Sequence, residues 1–167
     1  MSQDSFPYEA SIRLAFFVSV LLLMVFWEFI TPKRKLTVKR GIRWLNNVSI
    51  VVINTLLLRA VFFIAAMGIA IHAEQEGWGL FNVLNWPYSV TFILSVVLLD
   101  LIIYLQHVLF HAVPVLWRLH RMHHADLDFD TTTGIRFHPV EILLSMLIKM
   151  GAVAALGTPP LAFLTFE

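Results

Sequence analysis

Cysteine is absent from this 167-residue chain, and that gap removes several chemistries together. Thiolate zinc sites, iron–sulfur clusters, thiolate-ligated haem and disulfides all need the sulfur, so any metal here is held by imidazole and oxygen. Charge is scarce as well. Charged residues make up 14% of the chain and hydrophobic ones 59%, against about 25% and roughly 45–50% in ordinary soluble domains. The 12 Lys and Arg nearly balance the 11 Asp and Glu, for a formal net charge of +1, and without a basic excess nothing points to nucleic acid. No internal repeat or low-complexity tract is visible. Before the first apolar run there is neither a basic leader nor a small-residue cleavage site, only the acidic, polar residues 2–9, so that run reads as a retained membrane helix and not as a signal peptide.

What is present is long apolar sequence. Residues 11–30, 48–73, 88–111 and 139–156 form four stretches, each compatible with a helix crossing a hydrocarbon core, which takes about 20 residues. Backbone groups in lipid must satisfy themselves, which makes the expected fold all-α: a multi-span helical membrane protein of about four transmembrane helices, forming a single domain over residues 1–167. Gly157-Thr158-Pro159-Pro160 breaks the fourth stretch, and residues 161–166 begin another apolar segment like half of a helical hairpin.

The connections set an orientation. The first carries Lys33, Arg34, Lys35, Lys39, Arg40 and Arg43 and no acid, and the second, residues 74–87, carries two glutamates and no Lys or Arg. The third holds Arg118, Arg121 and Arg136. Basic loops stay on the cytoplasmic side, so the first and third loops are expected there and the second outside. Trp27, Trp44, Trp78, Trp86 and Trp117 fall near the span ends, as an interfacial aromatic belt requires.

Six of the seven histidines lie between His107 and His138, while His72 stands alone. His107 and His111 are four apart at the end of the third span, on one helical face. His120, His123 and His124 form H-x2-H-H, neighbours in the same sense if that segment is helical. Neutral imidazole is the commonest protein metal ligand and suits iron, zinc, copper and nickel. Alone, one pair is weak evidence, and a basic histidine-rich loop can instead contact lipid phosphate. Together the two groups point to a metal site. Val108 follows His107, so the H-E-x-x-H zinc-protease pattern fails. No Glu-x-x-His of the soluble di-iron bundles accompanies the pairs.

Tyr104-Leu105-Gln106-His107-Val108-Leu109-Phe110-His111, Trp117-Arg118-Leu119-His120-Arg121-Met122-His123-His124 and Arg136-Phe137-His138-Pro139-Val140-Glu141 together resemble the fatty acid hydroxylase superfamily, in its bacterial sterol-desaturase-like branch. The resemblance runs from about Asp100 to the last residue. It implies a membrane enzyme, an oxygen-dependent oxidoreductase that hydroxylates or desaturates a lipid or sterol-like substrate. Two iron ions (zinc as the other candidate), dioxygen and an external electron donor go with it, as does a cytoplasmic redox partner at a bacterial inner membrane. His107, His111, His120, His123 and His124 carry over as ligands. His138 is either a ligand or a neighbour of the ligands beside Pro139, which is expected to open the fourth helix. Family members carry a further H-x-x-H-H box after the last hairpin. None follows His138 here, so the chain is expected to be C-terminally incomplete, or a natural short form, and to hold part of a site. A zinc-dependent membrane hydrolase and a non-enzymatic metal-binding or transport protein stand as the alternatives.

Other polar residues in or near the spans carry weaker expectations. Asp100 and Tyr104 share a helical face with His107 and His111 and are candidates to support the ligands from behind, although Asp100 reads first as a packing partner for Arg59, at similar depth in the second span. Lys149 lies in the fourth span, where it snorkels or faces a cavity. Asp126, Asp128 and Asp130 alternate like a calcium loop, but Thr131 stands where that loop needs Gly, and they are expected to be solvated loop carboxylates.

Overall fold

A computed structural model describes residues 8–32, 35–62 and 66–167. Most of the acidic leader, the basic pair Lys33 and Arg34, and residues 63–65 of the second apolar run lie outside the described residues. Every regular element among the described residues is helical: α1 (Glu9–Ile30), α2 (Arg40–Val61), α3 (Ala66–Glu76), α4 (Leu80–Leu84), α5 (Tyr88–Ala112), α6 (Pro114–His124), α7 (Pro139–Leu156) and α8 (Pro160–Phe166), with a 3-10 turn at Thr131–Ile135. Among the described residues four segments are long and apolar enough to cross a membrane, and the chain is a multi-span helical membrane protein. α5, at 25 residues, extends about 37 Å at 1.5 Å per residue.

The chain divides into two compact units. One comprises residues 1–13, 62–109 and 144–167, the other residues 14–61 and 110–143. In the first unit, Ala66, Met67, Ala70 and Ile71 of α3 pack with Leu99 of α5, Val153 of α7 and Phe163 of α8. Small side chains on α3 let the helices approach closely, which is how helices associate where lipid removes the hydrophobic driving force. The turn after α7 is equally tight. Gly157 (φ 67°) ends that helix, its N–H bonding Val153 O at 3.0 Å, and a Cβ at Gly79 would overlap the Gly157 backbone. Gly79→Ala is therefore expected to lower the thermal unfolding midpoint of the detergent-solubilised protein by several degrees, since φ 91° with ψ 163° is backbone essentially reserved for glycine and alone costs an L-residue roughly 1–3 kcal/mol. Gly41→Ala, where nothing lies near the added Cβ, is the control that should not lower it.

The second unit turns helix amphipathicity inside out. The buried residues of α2 are Arg43, Asn47 and Asn54, while Ile42, Leu45, Val48, Val52, Ile53 and Leu56 are exposed. A helix with polar residues inward and apolar residues outward is at home in lipid, not water. The second span was expected to begin at residue 48. It begins at Arg40 because the polar turn before residue 48 is held by the loop that follows α6.

That loop corrects the reading of its three carboxylates as solvated. Asp126 accepts from Arg43 Nε at 2.8 Å and Nη2 at 2.9 Å, and from Thr133 Oγ1 at 2.8 Å. Asp130 lies 3.0 Å from Arg43 Nη2 and takes Thr132 N at 2.9 Å. Asp128 accepts the backbone N–H groups of Thr37 and Val38 at 2.8 and 2.7 Å. Glu28 of α1 receives Thr131 N at 2.7 Å. Alternate acids in sequence thus meet donors from α2 and the turn before it, a pairing across some 80 to 90 residues that local spacing does not disclose.

Backbone donors from Thr37 and Val38 hold the Asp128 carboxyl below its ordinary value of 3.8. A depressed folded pKa stabilises above the unfolded value and is lost as pH falls through the folded one. Protection of the Thr37 and Val38 amides, taken relative to their intrinsic exchange rate at each pH, should accordingly hold from neutral pH down to about 4 and fall only below it. Unchanged protection at still lower pH would remove Asp128 as the anchor.

Candidate metal centre

The site is built where α5 gives way to α6. Pro114 cannot continue α5, and the residue before it is pushed toward extended backbone: Val113 has φ −93° and ψ 118°. The chain bends there, Pro114 opens α6, and the two helix ends lie side by side. The H-x2-H-H segment is helical, as its spacing allowed.

Within the second unit the rings gather tightly. The centroids of His111, His120 and His124 form a triangle with sides of 4.8, 4.9 and 5.0 Å, and His123 lies 5.0 Å from His124. Ring nitrogens of His111 and His120 come within 4.8 Å of one another. His107 stands one turn before His111 on the same unbroken helix α5, on the same face. Trp117 packs against both His111 and His124, at 5.2 and 5.6 Å between centroids, and Phe137 stacks on His123 at 4.7 Å and 7°.

His120 is the hub. It is fully buried, and its Nδ1 lies 2.6 Å from Oε1 of Glu141, while its Nε2 faces Nε2 of His124 at 3.3 Å. A carboxylate on Nδ1 fixes the proton there and leaves the Nε2 lone pair pointing at the cluster, the arrangement that orients metal-bound histidines. Glu141 is itself buried in the first turn of α7, where an acid is favoured by the helix dipole. Burial, then the charges of His120 and His111, push the His124 pKa down against the opposing pull of Glu141, which favours the neutral, ligating imidazole.

These residues fit a transition metal. Two nitrogens each about 2.0–2.1 Å from one ion in tetrahedral array stand about 3.3–3.4 Å apart, the separation found between His120 and His124. The donor set is imidazole with a buried carboxylate behind it, suited to iron or zinc and unsuited to calcium or magnesium.

The other candidates fall elsewhere. His138 is half-buried, and its Nδ1 accepts the Val140 N–H at 3.2 Å; Pro139 opens α7 next to it, as expected. Asp100 and Tyr104 lie on the exposed side of α5, and Arg59 is exposed on α2 of the other unit. Reading the sequence placed Glu141 in a motif but gave it no role. Its one signal was an acid three residues after His138, at the start of an apolar span. An open cleft of about 510 Å³ adjoins the cluster, lined by Trp117, Arg118, Arg121, Met122, His124 and His138 among others.

Residues 92–167 match the family model described as fatty acid hydroxylase. The chain is also 25% identical, over 172 aligned positions, to the ornithine lipid hydroxylase OlsE of Rhizobium tropici, an alignment covering 95% of this chain and 51% of that protein. It therefore spans about half the length of the curated relative it matches. No solved structure matches it. The segment holding the histidines from His107 to His138 is thus the part of this chain that is similar to the fatty acid hydroxylase family.

Proposed function

We propose that this chain carries the metal-holding part of a membrane lipid hydroxylase, a non-haem di-iron oxidoreductase. The observation that carries the reading is His120, buried, oriented by Glu141 at 2.6 Å and facing His124 at 3.3 Å, within a family segment whose relative is named a lipid hydroxylase. His107, His111, His120, His123 and His124 would hold the metal, with His138 as a sixth imidazole. When bound, iron supplies the activation of dioxygen needed to functionalise an unactivated C–H bond, using electrons from a cytoplasmic redox partner.

The chain's own residues prepare the place. Glu141 keeps the Nδ1 proton on His120 so that Nε2 is a ligand and not a donor. Trp117 and Phe137 pack on the rings of His111, His124 and His123 and limit their rotation. Asp100 and Tyr104, on the α5 face that His107 and His111 share, would support those two ligands from behind. The apolar outer faces of the spans accept the lipid chain beside the cluster.

The test is metal analysis of purified protein with oxygen-dependent product formation from membrane lipid. Iron in the protein and a hydroxylated lipid that disappears without oxygen are expected. Zinc with hydrolysis, or reversible metal binding without turnover, would overturn the reading.

We also infer that the cluster faces the cytoplasm of a bacterial inner membrane, from Lys35, Lys39, Arg40 and Arg43 on one side and Glu74 and Glu76 on the other. The cysteine-free chain makes this direct to check. A membrane-impermeant thiol reagent applied outside should label Glu76→Cys and spare Lys35→Cys, and the reverse pattern would invert the topology.

A further inference from the structure

We propose that the cleft beside the histidine cluster binds the anionic headgroup of the lipid substrate, with Arg118 and Arg121 gripping its oxyanion. The inference rests on the lipid-oxidation reading of the neighbouring cluster and adds the class of lipid to it.

The two arginines sit three apart on α6, on one face, and both line the cleft. Among the described residues neither guanidinium has a hydrogen-bond or ion-pair partner, and no acid is among the residues lining the cleft. Arg43 in the same unit is the contrast. It is enclosed and bound by Asp126 and Asp130, so its charge is spent on the fold. The charges of Arg118 and Arg121 remain available for a ligand.

The surroundings narrow the ligand. At about 510 Å³ the cleft falls in the usual range for a small molecule, about 300–1,000 Å³. Its wall pairs Trp117 and Met122 with the arginines, an apolar side for the first part of a chain and a cationic side for a head. Arginine presents a planar fork matched to phosphate or carboxylate. α6 follows directly from the end of span α5, the depth at which headgroups lie. His124 belongs to both places, lining the cleft and facing His120 at 3.3 Å, so a bound head sits against the cluster. An acidic protein would instead need a complementary surface of about 800 Å² on each partner, whereas these charges line a concavity.

The experiment uses the full chain in an uncharged maltoside detergent, with calorimetric titration of dioctanoyl phosphatidic acid, dioctanoylglycerol and inorganic phosphate. Cobalt(II) uptake, read by visible absorption, reports the cluster separately. Wild type is expected to bind the phosphatidic acid at least about tenfold more tightly than the diacylglycerol, an increment in keeping with a charge-assisted pair. Arg118→Gln/Arg121→Gln should erase that difference and leave cobalt uptake intact, and Arg118→Lys/Arg121→Lys should restore part of it.

Several results would overturn the proposal. One is a double Gln variant that still discriminates between the two lipids. Another is inorganic phosphate binding as tightly as phosphatidic acid, which would make this a free-anion site. A third is unchanged lipid binding with loss of affinity for an acidic redox protein. A fourth is joint loss of cobalt uptake and discrimination that lysine does not restore, which would assign the arginines to folding. A wild-type chain that discriminates but takes up no cobalt would sink the hydroxylase reading and leave the cleft standing.

Discussion

Replacing Glu141 by alanine is expected to weaken transition-metal binding by the histidine cluster by about 10–100-fold, the usual cost of removing a carboxylate that orients a metal-bound histidine. The cause is local. His120 is fully buried, and without Glu141 Oε1 at 2.6 Å its Nδ1 proton loses its carboxylate acceptor, while its ring is free to turn or to change tautomer. Glu141→Gln keeps a carbonyl oxygen at the same reach and should fall between wild type and alanine. Cobalt(II) or iron(II) titration of the full chain measures the order. Glutamine behaving like wild type while alanine loses affinity would assign the effect to hydrogen bonding alone, with no role for the negative charge. Equal affinity in all three would remove Glu141 from the site. His120→Ala should go further and abolish binding, since it deletes the ring at the middle of the cluster.

The second large effect concerns the clamp that carries the loop after α6. Arg43 and Asp126 have side-chain exposures of 6% and 4%, and removing one partner of a buried pair typically costs about 3–5 kcal/mol. Asp126→Ala should lie near 3 kcal/mol, at the lower end of that range, because Asp130 still reaches Arg43 at 3.0 Å. Burial alone would raise the Asp126 pKa, but hydrogen bonds from Thr133, Arg43 and Asn47 and the Arg43 charge outweigh it and hold the carboxyl down, which indicates a net favourable site for the anion. Denaturant or SDS titration of the detergent-solubilised protein reads the loss. Arg43→Met/Asp126→Leu should recover little of it, because Asp130, 3.0 Å from Arg43 Nη2, is then left buried without the guanidinium. A double variant clearly more stable than Asp126→Ala would show that Asp130 does not depend on Arg43. Either variant should also loosen metal binding, since the same loop leads through Phe137 into the turn that delivers Glu141.

Much of this was legible in the sequence, for reasons particular to each part. Apolar runs of membrane-spanning length announce helices because lipid leaves the backbone no other means of satisfaction. His107 with His111, and His120 with His123 and His124, are local patterns, and helical periodicity converts such spacing directly into a shared face. Pro139 opened its helix as expected, and the break at Gly157 fell where its residues predicted. The carboxylates were misjudged because their partners lie far away in the chain. Asp126 looks like a solvated loop acid until Arg43 and Asn47 are brought against it, and the polar start of α2 looks like a loop until those acids cover it.

What the residues determined unaided was a membrane-embedded helical chain with imidazoles gathered at one end of its third span. Spacing within a helix is a local property, and the cost of placing polar backbone in lipid applies to each segment separately. The tertiary structure alone decided that Glu141, 21 residues beyond His120, would be its partner, that α2 would turn its polar face inward, and that Arg118 and Arg121 would flank an open cleft while Arg43 was neutralised. Those outcomes depend on which surfaces meet. A contact between distant residues is selected by the free energy of the whole packed arrangement, and no window of neighbouring sequence contains it.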